Sequence, residues 1–241
     1  MSVEYVIYFR LMWLFVIIIS LLLIFLCYLY FAKQRAQKME SQSTAFSHLV
    51  IEGTETERRR ISRELHDIVL PQVRGLPVSE QIRTICMDLM PPDFSRLSFE
   101  DLLVEFCDKF SKRTEIECVC FLEPNISFAA VSAENQLHLY RMVQESFQNI
   151  EKHSKAQKAW LIVRNIKQEA KFENVLICIS DDGTGLLSHN EGLGMKSMRQ
   201  RADIIGAKID FISEKGNGLM VRIESPPLVS KKGKNPSISR A

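Results

Sequence analysis

His66 is followed directly by Asp67, and that pair has the types and spacing to do chemistry. An imidazole near its free pKa of about 6.5 is largely neutral at physiological pH, and therefore nucleophilic. A neighbouring carboxylate can orient it or take its proton. Three further groups lie downstream. Glu145, Asn149 and Lys152 fall at i, i+4 and i+7, where an acid and an amide one turn apart can order Mg²⁺, water and phosphate oxygens. Asp181-Asp182-Gly183-Thr184-Gly185 follows an apolar run. A carboxylate there can accept from a base amino group, and its glycines permit close backbone approach. Gly192-Leu193-Gly194 stands before a helical pattern, where free N–H groups and the helix dipole favour phosphate. Each group also has a plain reading: a solvated helix, a surface face, a turn, a cap.

The elements that must hold these residues begin with a membrane span. Residues 11–32 contain no charge and are dense in Leu, Ile and Phe, long enough to cross a hydrocarbon core of about 30 Å. The run ends in Tyr28-Leu29-Tyr30-Phe31 rather than small residues, with Lys33, Arg35 and Lys38 beyond it. This argues against a cleaved signal peptide and places the C-terminal side in the cytoplasm. Residues 1–10 form a short extracytoplasmic N-terminus that leaves no room for a sensor domain, so the expected input is the bilayer, a partner or the cytoplasm.

Residues 33–56 read as a helical linker with Gly53 as its weak point. Ile61, Leu65 and Ile68 then give His66 an amphipathic helix, with Arg60–Glu64 and Arg63–Asp67 as expected ion pairs. Pro71 should kink or end it. Gly75 and Pro77 mark a turn, 79–90 a second helix, and Pro91-Pro92 its stop. The resulting hairpin, 57–92, suits half of a dimeric four-helix bundle. From Ser98 the pattern is α+β: helices over 99–110, 133–153 and 196–205, and strands over 116–122, 159–164, 175–180, 208–213 and 219–224. These form a two-layer α/β sandwich across 98–227. Residues 228–241 are basic and Pro/Ser-containing, a tail expected to be disordered.

The 31 Lys and Arg nearly cancel 29 Asp and Glu, for a net charge of +2, which implies no nucleic-acid field and no direct nucleic-acid binding. Six cysteines show no CxxC pair. Cys118 and Cys120, two apart in an apolar run, suit one strand face, and a reducing interior is expected.

Taken in order, the motifs resemble a sensor histidine kinase of the NarX/DesK-like class with a GHKL-type (Bergerat) ATP-binding domain. Glu57-Arg58-Arg59-Arg60-Ile61-Ser62-Arg63-Glu64-Leu65-His66-Asp67 resembles the phosphoacceptor box. Residues 144–153 resemble the N box, 181–185 the first glycine box and 192–202 the second; Asp88-Leu89-Met90-Pro91-Pro92 resembles the segment closing this class's hairpin. The resemblance implies His66 as phosphorylated nucleophile with Asp67 beside it, and Asn149 as Mg²⁺ ligand with Glu145 on the same face. It implies Asp181 at the adenine amino group, and Lys152, Gly183, Gly185, Gly192 and Gly194 around the nucleotide. The implied reaction is ATP-dependent phosphorylation of His66 in a membrane-anchored homodimer, then transfer to an aspartate of a cytoplasmic response regulator.

Departures are visible. Pro71 occupies the position where the class carries a glutamine tied to phosphatase activity, and Leu219 stands where a threonine is common. Only 24 residues lie between His66 and Pro91, a hairpin about half the usual length for the class. A degenerate kinase that acts through an intact partner is therefore a competing reading. A GHKL ATPase or serine-directed kinase with an incidental His66 is a third.

Overall fold

The structure, a computed structural model, describes the backbone of residues 3–124, 126–168, 172–186, 192–213 and 216–225. It divides into two compact units, Met1–Val50 and Ile51–Ala241. The expected tail, 228–241, lies outside the described residues.

The first unit belongs to helix α1, Val3–Glu64, whose later turns enter the second unit. Within it, Arg10–Arg35 has a mean hydropathy of 2.9 and no buried residue, long and apolar enough to cross a membrane. The helix runs through Gly53 without a break, against the weak point expected there.

In the second unit, α1 does not simply stop before Pro71. It widens into a π-turn, Leu65–Val69, in which the Leu70 N–H reaches back to Leu65 O. Proline lacks the donor for an α-turn, and its ring crowds the carbonyl four residues earlier; widening relieves both. A short α2, Leu70–Gln72, and a turn with Gly75 at φ +88° lead to α3, Val78–Leu89.

The remainder is the expected sandwich. Helix α4, Phe99–Thr114, is capped by Ser98, whose Oγ accepts from Asp101 N at 3.1 Å. It precedes β1, Glu117–Leu122. Helix α5, Ala133–Asn149, is capped by Ser132 and ends in a second π-turn, Ile150–Ser154. Strands β2, Lys158–Gln168, and β3, Phe172–Asp181, precede α6, Leu193–Ile205, which closes at Gly206 with φ +68°. A hairpin of β4, Lys208–Ser213, and β5, Leu219–Glu224, completes the fold. The sheet order is β1-β2-β3-β5-β4, parallel only between β1 and β2.

Alternate residues of the central strands, Leu161 and Val163, Ile177 and Ile179, Val221 and Ile223, point into one core. There they meet Phe99, Phe110, Leu139, Met142, Phe147 and Met198 from the three helices. Burying each of these large side chains contributes about 1.5–3 kcal/mol. Cys118 and Cys120 do share one strand face, packed against this core with Cys107 of α4.

Candidate functional site

One side of α5 is committed to the core, and the opposite side is therefore free to line a cavity. Glu145 and Asn149 stand there half-buried. The π-turn that follows carries Ile150, Lys152, His153 and Ser154 to the same place, and β3 delivers Asp181 at its end. The start of α6 supplies Gly192, Gly194 and Met195; together with Gly185, Leu186, Leu193 and Leu219 they enclose about 420 Å³, the size of a small-ligand site. Three motifs separated by tens of residues thus meet in one pocket. Ser154 and Leu186 also belong to its wall although they lie just outside the quoted motifs, and Ser154 is brought there by the π-turn.

Adjacent acids at the end of β3 do different things. Asp182 turns outward, and its Oδ1 accepts from Gln157 N at 2.8 Å and Lys158 N at 2.9 Å, bonds that hold its carboxyl below the usual range. Asp181 is buried, with Oδ1 accepting from Gly183 N at 2.8 Å and Oδ2 from Leu219 N at 3.2 Å. Burial pushes the Asp181 carboxyl up in spite of these bonds. It is the deep, oriented acceptor that a base amino group requires.

The glycines are not equivalent. A Cβ on Gly183 would lie 2.2 Å from Ser154 O, the carbonyl that accepts from Thr184 N at 2.8 Å. On Gly218 it would lie 1.8 Å from Asp181 O, at a φ of +75°. Both positions are closed to side chains by backbone. Gly185 has φ +72°. At Gly194 a Cβ would meet only the Glu145 carboxylate, 2.1 Å from Oε1. Gly192 stands in open space with ordinary φ, and nothing steric requires glycine there.

Hard oxygen donors at the cavity are few: the Glu145 carboxylate, the Asn149 amide oxygen and the Asp181 carboxylate, the last already accepting from two backbone N–H groups. Among the described residues no group of three or more His, Cys, Asp or Glu can hold a metal ion. That donor set fits a Mg²⁺ that arrives with phosphates and water rather than one caged by protein.

His66 and Asp67 are elsewhere. Both are exposed in the first π-turn, with Nδ1 3.0 Å from Asp67 Oδ1. His66 borders a different hollow, with Leu70, Pro71, Arg74, Arg83 and Met87, which shares no residue with the cavity on α5. Upstream, Arg60 pairs with Glu57 and, at 2.6 Å, with Glu64. The expected Arg63–Asp67 pair is not among the ion pairs of the described residues, because Asp67 turns to His66 instead.

A mixed five-stranded sheet backed by three helices, with this cavity at its edge, is a GHKL-type ATP-binding fold. Residues 134–229 match the family described as histidine kinase-, DNA gyrase B-, and HSP90-like ATPase. Comparison along more of the chain finds sensor histidine kinases. The chain is 26% identical over 212 residues to the sensor histidine kinase LiaS of Bacillus subtilis, across 74% of this chain and 56% of that one. To the oxygen sensor histidine kinase NreB of Staphylococcus carnosus it is 22% identical, across 80% and 62%. To the histidine-protein kinase/phosphatase UhpB of Salmonella typhimurium it is 25% identical, across 79% and 43%. These matches support a GHKL-type histidine kinase, as the motif order implied. The chain spans about half the length of the curated relatives it matches. Among solved structures, the histidine kinase domain of the Erythrobacter litoralis EL346 blue-light activated kinase aligns at 17% identity and a TM-score of 0.46. That alignment takes in 71% of this chain and 93% of that one.

Proposed function

We propose that this protein is a membrane-anchored sensor histidine kinase that phosphorylates His66 from ATP and passes the phosphoryl group to an aspartate of a response regulator. The observation that carries the reading is the convergence of Glu145, Asn149, Asp181 and Gly194 on one cavity, in a domain of an ATP-binding family. Asp181 accepts from the adenine amino group, Lys152 meets phosphate charge, and Asn149 holds Mg²⁺, which neutralises the phosphates when bound. Catalysis of this kind is mostly positioning and charge stabilisation.

At the acceptor, an Nδ1–H donated to Asp67 leaves the Nε2 lone pair free. Nε2 forms the bond to the γ-phosphorus while the bond from that phosphorus to the β,γ-bridging oxygen breaks and ADP departs. Asp67 stabilises the charge that develops on the ring. Regulator transfer, a homodimeric hairpin and a single membrane crossing with the catalytic domain in the cytoplasm complete the proposal; the apolar Arg10–Arg35 helix supports the last.

The test is incubation of the full chain in detergent with γ-labelled ATP and Mg²⁺. Acid-labile, alkali-stable label is expected, absent in His66→Gln and at least about 100-fold slower in Asn149→Ala with the fold intact. An unlabelled wild type that binds ATP would leave the non-catalytic, partner-dependent reading in its place. Label persisting in His66→Gln would refute the acceptor.

A further inference from the structure

Behind the nucleotide cavity lies a buried ion cluster that none of the motif roles includes. Glu55, on α1, is eleven residues before His66, about 16 Å along a helix. Its carboxylate accepts from Arg141 Nε at 3.1 Å on both oxygens and from Arg141 Nη2 at 3.0 Å. It also accepts from Arg201 Nη2 at 2.8 Å. The three side chains are only 2%, 6% and 7% exposed for Arg141, Arg201 and Glu55. Arg141 reaches further, donating to Gln144 Oε1 at 2.7 Å and to the carbonyls of Asp88 and Leu89 at 3.0 Å. One carboxylate therefore ties α1 to α5 and α6, and through Arg141 to the end of α3.

As simple glue this is a poor choice. Burying three charges is costly, and apolar residues of the same volume commonly hold helices as well or better. What such a cluster provides is geometry: without the carboxylate, two guanidiniums are left facing one another in a dry site. The two helices it joins are those that form the cavity wall. Glu145 is one turn beyond Arg141 on α5, and Gly194 about two turns before Arg201 on α6. Between them there is no slack, since Gly194 lies against the Glu145 carboxylate. Glu145 borders both the nucleotide cavity and the small polar cleft lined by Arg58, Arg141 and Arg201.

We propose that Glu55 is a positioning residue for the nucleotide site: acting through Arg141 and Arg201, it holds α5 and α6 at the spacing that sets the Glu145–Gly194 wall. It thereby couples the placement of the phosphoacceptor helix to affinity for ATP. This rests on the nucleotide reading of the cavity. By linkage, bound nucleotide tightens the cluster in return.

The experiment uses the full chain in detergent and reads affinity for a fluorescent ATP analogue, KM and kcat of His66 labelling, and thermal stability. Glu55→Gln is expected to weaken nucleotide affinity and raise KM about 5- to 20-fold with little change in kcat. Glu55→Asp should recover most of the loss, and Glu55→Gln with Arg201→Gln should be no worse than Glu55→Gln alone. Should the single variant not fold, the double variant, which removes the excess buried charge, is compared with wild type instead. A lower melting temperature with unchanged affinity and KM would reduce the cluster to packing and overturn the proposal. Faster labelling at unchanged affinity would make it a brake on the hairpin, and overturn it equally. A wild type that binds no analogue defeats the nucleotide reading and this inference with it, whereas normal binding indifferent to Glu55 defeats the inference alone.

Discussion

The nucleotide-binding domain and the histidine hairpin are built on opposite plans. In the domain, side chains such as Leu139, Leu161 and Ile177 are fully buried, and function is set by backbone: carbonyls of Ser154 and Asp181 packed against glycines. The hairpin has almost no interior. Between Leu65 and Met90 only Cys86 is buried, with Ser62 opposite it donating to Cys86 O at 2.9 Å. Ile68, Leu76, Ile85 and Met87 are exposed. A region with so little core leans on a second surface, which supports the proposed dimer. The domain builds its cavity from its own backbone, while the hairpin offers one side chain and awaits company.

Glycine substitutions break this contrast most forcefully. Gly218→Ala puts a Cβ 1.8 Å from Asp181 O at φ +75°, and should cost about 3 kcal/mol or more and abolish nucleotide binding. Gly75→Ala, at φ +88° in open space, should cost only about 1–2 kcal/mol and leave binding untouched. Thermal unfolding with a nucleotide titration distinguishes them; equal losses would end the idea that backbone crowding defines the domain's site. Next in size is Ile85→Asp, expected to weaken self-association at least about 10-fold by sedimentation without altering nucleotide affinity. A drop in affinity instead would show that self-association through the hairpin reaches the nucleotide site.

Acid provides the smallest and sharpest probe. Because burial raises the folded pKa of Asp181, its contribution to stability is full below the unfolded value of about 3.9 and fades as pH rises through the folded one. On acidification Asp181 therefore adds to folding stability while it loses the charge proposed to bind adenine. Affinity should begin to fall above the ordinary carboxylate range, and Asp181→Asn should flatten that part of the pH profile. Glu55 runs the other way. Burial works to raise its pKa, but the two guanidiniums hold it below the usual range, so its contribution is present above about 4.3 and is lost only as pH falls through the lower, folded value.

Much of the domain was legible because its signals are local. Alternation and Gly216-Asn217-Gly218 bounded β4 and β5 to the residue. Where bounds differ, tertiary pairing or helix ends decide. Strand β2 continues past its apolar run because residues as far as Gln168 pair with β3. Helix α4 runs to Thr114 because Lys112 and Arg113 suit a C-terminal turn. Glu55 was invisible for a different reason. Along α1 it looks like Glu52 or Glu57, and only the approach of Arg141 and Arg201 from distant sequence removes it from water.

Both π-turns fall where chemistry is proposed, one around His66 and one beneath the nucleotide cavity. Each fits one residue more than an α-turn into nearly the same rotation, so the surplus residue is taken up inside the turn. Deleting a single residue from Leu65–Val69 would leave the chain beyond almost in phase, but it would remove the wide turn that carries His66 beside Asp67 and press the Pro71 ring back onto the carbonyl four residues before it. The same deletion in Ile150–Ser154 would change which side chains of the turn line the cavity. The count of residues in these turns is thus as much a part of the site as their identities.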